Sequence, residues 1–218
     1  YDGEWIADFY RINVAADIGT KALVTVTPNN PTGSFLKKKE LADFNGFAKE
    51  RDIALISDEV FSDYAFETDK NRAGTLAGNT EALTFTLSGI SKVLGLPQMK
   101  LGWIVVSGPE NRVAKAVARL EIIADTFLSV NTPAQNALEC WLRDRESVQA
   151  PIRARTAENL SFLRQQFEKP HSAELLNVEG GWYATLRLPR TQTEEAWCLE
   201  FLEKDLTHVH PGYFFDFH

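Results

Sequence analysis

Hydrophobic positions follow two different rhythms along the chain. In roughly its first half, short runs at residues 22–26, 53–57, 83–87 and 103–106 are apolar almost throughout, and each stops at a cluster of polar or turn-forming residues. Runs of that length predict strands, and strands that are apolar on both sides belong in sheets covered on both faces by helices. Between the first two runs, Leu41, Phe44, Phe47 and Ala48 recur at helical spacing, and residues 8–15 suggest a short helix before them. Past Ser107 the period lengthens. Residues 109–127, 133–145 and 151–167 read as three long helices, two opening on Thr-Pro or Ala-Pro, the third with Leu160, Leu163 and Phe167 on one face. A strand at 179–186 is entered through Gly180-Gly181, and a last helix at 193–204 carries Trp197, Leu199, Phe201 and Leu202. The expected fold class is α/β: part of a mostly parallel sheet flanked by helices, followed by a smaller α+β C-terminal domain. The expected division is residues 1–128 and 129–218.

Composition narrows the partners. The 218 residues carry 23 Lys and Arg against 30 Asp and Glu, a net charge of −7. That balance argues against nucleic acid and anionic membrane as partners. No apolar run approaches the roughly 20 residues that span a bilayer. Cys140 and Cys198 both fall in helical patterns, which predicts buried free thiols and a cytoplasmic location rather than a disulfide framework. The chain begins at Tyr1 and stops at the aromatic-rich stretch 214–218, which reads as a piece of a longer protein.

Three polar residues stand just past three successive strand-like runs: Asn30, Asp58 and Lys92. The intervals, 28 residues from position 30 to 58 and 34 from 58 to 92, each suit one strand-helix-strand unit. Parallel strands with like-handed crossovers bring their C-terminal ends to one edge, and open α/β sheets bind ligands there. Lys92 lies among small residues (Ser88, Gly89, Ser91), and a turn at Gly95 and Pro97 leads to a second cation, Lys100. A lysine whose amine is deprotonated by burial or a neighbouring cation is a nucleophile toward carbonyl groups.

Asn29-Asn30-Pro31-Thr32-Gly33, Ser57-Asp58-Glu59-Val60, Ser91-Lys92 through Lys100-Leu101-Gly102-Trp103, and Gly180-Gly181-Trp182-Tyr183 resemble, in order and spacing, the signature blocks of the class I/II aminotransferases. These are fold-type-I enzymes dependent on pyridoxal 5'-phosphate, and the resemblance covers nearly the whole chain. It implies that Lys92 forms a Schiff base with the cofactor and then carries a proton at the substrate α-carbon. It also implies that Asp58 pairs with the pyridine nitrogen, that Asn30 donates to the phenolic oxygen, and that Lys100, with Ser88, contacts the phosphate. No metal is called for. Amino acids and 2-oxo acids are the implied substrates, and a homodimer the implied assembly.

The departures from the family pattern are specific. Phe61 stands where a tyrosine commonly donates to the phenolic oxygen, leaving Tyr64 or another group to substitute. Ser88 lies four residues before the lysine, where many members carry serine at three; that place is Gly89. Lys100 replaces a more frequent arginine, a point charge for a bidentate fork. The family's glycine-rich phosphate loop and its carboxylate-binding arginine fall outside the chain. The same scaffold also supports a carbon–sulfur lyase, or a non-catalytic ligand-binding module of a regulator. Glu59, Asp63 and Glu67 are expected to be solvated carboxylates near the site.

Overall fold

The computed structural model describes residues 1–168 and 172–217. Its centre is a four-stranded sheet in the order β1 (Ala22–Val26), β2 (Ala54–Asp58), β3 (Thr84–Gly89) and β4 (Gly102–Ser107). The first three strands are parallel and β4 runs antiparallel to β3, so the sheet is mostly parallel as expected. Helix α1 (Phe9–Ala15) is capped by Asp8, whose carboxylate accepts the Arg11 N–H. Helix α2 (Lys38–Arg51) starts where the Glu40 carboxylate accepts the Lys37 N–H at 2.8 Å, satisfying a donor that the helix cannot. Its Phe44, Phe47 and Ala48 pack with Ile53, Leu55, Leu76 and Ala82 into the main core.

A second core forms under the short helix α3 (Ile90–Val93). Ile90, Val93, Leu94 and Leu101 pack against Ala134, with Leu138, Trp141 and Leu142 of α5 (Thr132–Arg143) around them. Helix α4 (Glu110–Thr126) follows β4 and contacts it. The remaining elements are α6 (Arg145–Gln166), a two-stranded antiparallel sheet of β5 (Glu174–Leu175) and β6 (Leu186–Arg187), and α7 (Glu194–Asp205), capped by Thr193. Among the described residues no helix is long and apolar enough to cross a membrane.

Four local readings need correction. Helix α6 begins six residues before Pro151, which therefore lies inside it. Asp144 ends α5 and stands at the N-cap position of α6, with Ser147 Oγ donating to its carbonyl, so the helix starts there and not at the Ala-Pro pair. Pro151 simply omits one donor to the preceding turn. The strand read at 179–186 shrinks to an isolated bridge at Gly180 and the two residues of β6, because Gly181 takes a φ of +80° and breaks the extended path. Cys140 and Cys198 are free thiols, but the first is exposed and the second half-buried. Finally, the outer strands are not covered on both faces: Val24, Ile104 and Val105 remain exposed.

Candidate active site

The site is an edge of the sheet. Asp58, the last residue of β2, sits in register between Val26 of β1 and Leu87 of β3, and neighbouring strands lie about 4.8 Å apart. The ladder continues past it, with Thr27 N–H donating to the Asp58 carbonyl and Glu59 N–H to that of Leu87, both at 2.9 Å. One Asp58 oxygen accepts the Val60 N–H at 3.1 Å, which pins the carboxylate at the strand end. Among the described residues it has no ion-pair partner.

Asn30 projects from the turn after β1. Asn29, not Asn30, organises that turn: its side-chain oxygen accepts the Thr32 hydroxyl at 3.0 Å, and its carbonyl accepts the Gly33 N–H at 2.8 Å. The Asn30–Pro31 bond is cis, and the Asn30 side chain is exposed. Lys92 lies in α3, immediately after β3. Because β4 is antiparallel, its start lies at this same edge, and Lys100 stands two residues before it, exposed and with a φ of +52°. The structure thus brings Asn30, Asp58, Lys92 and Lys100 to one end of the sheet.

Ser88 is separated from them. Asp58 pairs with Leu87, and successive strand residues point to opposite faces, so Ser88 shares its face with Ser57 and Thr86. It opens on a hollow lined by Glu59, Thr86 and Trp103. Glu59 also departs from expectation. It is buried, accepting hydrogen bonds from Ser57 Oγ at 3.0 Å, Thr75 Oγ1 at 2.6 Å and the Leu76 N–H at 2.8 Å. Asp63 and Glu67 are exposed.

Aromatic rings wall in the lysine. Lys92 Nζ lies 5.5 Å from the centre of the Phe61 ring and 5.4 Å from that of Trp182, close enough for cation–π attraction. Trp182 meets Phe61 and Tyr64 edge-on, each at 5.1 Å. The glycines explain how it arrives there. A Cβ on Gly180 would lie 2.6 Å from the Tyr64 carbonyl oxygen and 2.7 Å from the Phe35 ring; one on Gly33 would lie 2.6 Å from the Gly180 oxygen. The segment is threaded between the turn after β1 and the loop after β2, a passage only hydrogen-sized side chains allow. Glu179 anchors its start, accepting from Lys37 Nζ at 2.5 Å with Arg72 beside it. Burial works against the Lys37 charge, but its bonds to Glu179 and Asp69 outweigh that and raise its pKa.

Tyr64 does not stand in for the missing tyrosine. Its ring is 1 % exposed and its hydroxyl donates to the Lys92 backbone carbonyl at 2.5 Å. Burial, followed by the Asp63 charge and opposed by Arg153, pushes this phenol up to about 12. Phe61 itself is buried and offers no donor. Two contributors escaped the sequence reading. Trp182 was legible only as part of a glycine-aromatic block, and Gln149 of α6 carried no signal at all; its amide donates to the Val93 carbonyl at 2.9 Å and to Asp63 at 2.6 Å.

A mostly parallel sheet with a lysine, an aspartate and an asparagine at its strand ends defines the class, and comparison with known proteins agrees. The pattern of aminotransferase class I and II matches residues 6–216, and the chain belongs to that family. It is 27% identical over 148 residues to a glutamate-pyruvate aminotransferase of Haemophilus influenzae, covering 67% of this chain and 36% of that protein. It is 38% identical over 132 residues to an aromatic-amino-acid aminotransferase of Thermococcus litoralis, covering 60% of this chain and 32% of that one. Among solved structures, a tyrosine aminotransferase from Leishmania infantum superposes with a TM-score of 0.85 at 21% identity, over 96% of this chain and 53% of that chain. The chain therefore spans about a third of the length of these curated relatives and about half that of the solved structure.

Proposed function

We propose that the protein is a pyridoxal-phosphate-dependent aminotransferase that moves an amino group between an amino acid and a 2-oxo acid, with Lys92 as its Schiff-base lysine. The observation that carries this is the gathering of Asn30, Asp58, Lys92 and Lys100 at one sheet edge, with the Lys92 amine facing two aromatic rings. The residues suit the cofactor. Asp58 keeps a carboxylate oxygen beyond its Val60 bond to hold a proton on the ring nitrogen, and the exposed Asn30 amide has donors for the ring oxygen. Lys100 supplies a cation for the phosphate, while Ser88 faces away from this group of residues. Phe61 and Trp182 flank the Lys92 amine and limit where it can reach. Pyridoxal phosphate held by these residues would supply an electron-withdrawing ring to stabilise negative charge at the substrate α-carbon. Lys92 would be the group placed to carry the proton away from the substrate α-carbon.

The amino donor is proposed only as an α-amino acid, because the relatives are named for glutamate and pyruvate, alanine, or aromatic amino acids. A large cofactor-binding domain to about residue 128, a smaller domain after it, a homodimer and a cytoplasmic location belong to the same reading. The test is the absorbance spectrum of the chain titrated with pyridoxal phosphate beside Lys92→Ala. A visible band in the parent that is lost in the variant is expected. Bands of equal strength in both would overturn Lys92 as the cofactor lysine. Release of pyruvate and ammonia from cysteine, without amino transfer, would favour the carbon–sulfur lyase.

A further inference from the structure

Helix α3 is only four residues long, so its carbonyls have almost no helical partners. The Ile90 carbonyl is satisfied by the N–H groups of Leu94 and Leu96, at 3.1 and 3.2 Å. The carbonyls of Lys92 and Val93 are satisfied from outside. Tyr64, in the loop that follows Asp58, donates its hydroxyl to the first, and Gln149, 56 residues beyond Val93, donates its amide to the second. We infer that Tyr64 and Gln149 are positioning residues for Lys92, fixing the turn that carries it by gripping two consecutive backbone carbonyls.

The inference rests on the reading of Lys92 as the cofactor lysine, and three observations support it. Tyr64 and Gln149 are among the largest fully buried side chains of the chain. A buried polar side chain is retained only where its hydrogen bonds are made, and those of Gln149 are made in full. Its two N–H groups go to Val93 and Asp63, and its oxygen accepts Arg153 Nη1 at 3.1 Å; Arg153 is in turn paired with Glu146. The amide therefore has one permitted orientation. Second, the Lys92 side chain has four rotatable bonds and, among the described residues, neither a hydrogen-bond nor an ion-pair partner for its amine. Its place is set by its Cα and by two rings. Third, the Asp63–Gln149–Val93 link ties the loop that begins at Asp58 to the turn that bears Lys92. These are the two segments that must hold the aldehyde side and the nitrogen of one ring at a fixed separation, and small misplacements of reacting groups cost rate steeply.

The test uses Gln149→Met, which keeps the length of the side chain without its amide, and Tyr64→Phe, which removes one hydroxyl. Two readouts are taken on the intact chain. The first is amide hydrogen exchange at Leu94 and Leu96, which needs no cofactor and should quicken about tenfold in each variant. The second is borohydride trapping of pyridoxal phosphate, in which hydride reduces the carbon–nitrogen double bond to a stable amine. It is scored by peptide mass spectrometry as Lys92 relative to the exposed Lys115, and the ratio should fall about tenfold. Leu160→Ala, a core truncation on the same helix, should lower stability and leave that ratio unchanged. If the parent traps Lys92 no better than Lys115, the cofactor reading fails and takes this inference with it. If the parent traps Lys92 selectively and both variants do so equally well, positioning alone is overturned, whether or not exchange quickens.

Discussion

Two turns at the same sheet edge are built on opposite plans. The turn after β1 holds itself together: Asn29 accepts from Thr32, Thr32 and Ser34 share a hydrogen bond at 2.8 Å, and Asn29 and Ser34 close the loop through their backbones. The turn after β3 is held from elsewhere, by Tyr64, by Gln149 and by a core that draws on α5. The difference follows from what each turn presents. Asn30 is short, with two side-chain torsions, so a rigid local turn suffices to aim it. Lys92 is long and loses far more rotamer freedom on being fixed, so its backbone needs anchors that a four-residue helix cannot supply.

The largest effect expected is at Lys92 itself, where on the proposed function Lys92→Ala should abolish amino transfer in an activity assay. Next come the glycines that let the Trp182 segment pass between the turn after β1 and the loop after β2. Gly33→Ala and Gly180→Ala each place a methyl group 2.6 Å from a backbone oxygen, and at Gly33 the φ of +73° adds strain. Each should destabilise the chain by about 1–3 kcal/mol in urea unfolding. Gly181→Ala is the sharper control. Nothing lies within 4 Å of its would-be Cβ, although its φ of +80° still disfavours alanine, so its cost should be about 1 kcal/mol. Equal costs at positions 180 and 181 would show that the close passage is not tight.

A smaller effect separates two adjacent residues of the self-supporting turn. Asn29→Ala removes the acceptor of the Thr32 hydroxyl and should cost about 1 kcal/mol of stability. Asn30→Ala removes an exposed side chain and should leave stability within about 0.5 kcal/mol of the parent while weakening pyridoxal phosphate binding about tenfold. Reversed outcomes would exchange the roles of the two residues and break the contrast between the turns.

How far the sequence could be read tracks how local each feature is. The strand runs and the polar residues at strand ends were legible because period and turn chemistry are written in neighbouring residues. The face that Ser88 takes was hidden for a reason of register. Its spacing from Lys92 was already one residue off the common pattern, and only the pairing of Asp58 with Leu87 reveals which face it takes, since a one-residue offset reverses the face. Glu59 resembled any surface acid until Thr75 and Leu76 folded over it. Gln149 was out of reach altogether, since its meaning arises from three segments, around residues 63, 93 and 149, that meet only in the folded chain.

The smallest effect is confined to alkaline pH and tests how firmly Tyr64 grips the lysine turn. In the unfolded chain a tyrosine ionises near its ordinary pKa of about 10. In the folded chain Tyr64 keeps its proton until about 12, because burial and then the Asp63 charge oppose the phenolate more than Arg153 favours it. Below about pH 10 the hydroxyl is protonated in both states and its contribution is intact. As pH rises from there to about 12, the unfolded chain binds fewer protons than the folded one, so stability falls. Lys37, also raised, is lost in an overlapping alkaline window and with the same sign, so the slope of the parent alone cannot be assigned. The informative quantity is the difference between parent and Tyr64→Phe in urea unfolding at pH 8, 10 and 11. At pH 8 the variant should be less stable by about 1 kcal/mol, the value of a hydrogen bond to a buried carbonyl. That gap should narrow toward pH 11, because the variant has no phenol to titrate. A constant gap would mean that Tyr64 ionises as readily folded as unfolded, a result incompatible with a hydroxyl buried against the Lys92 carbonyl.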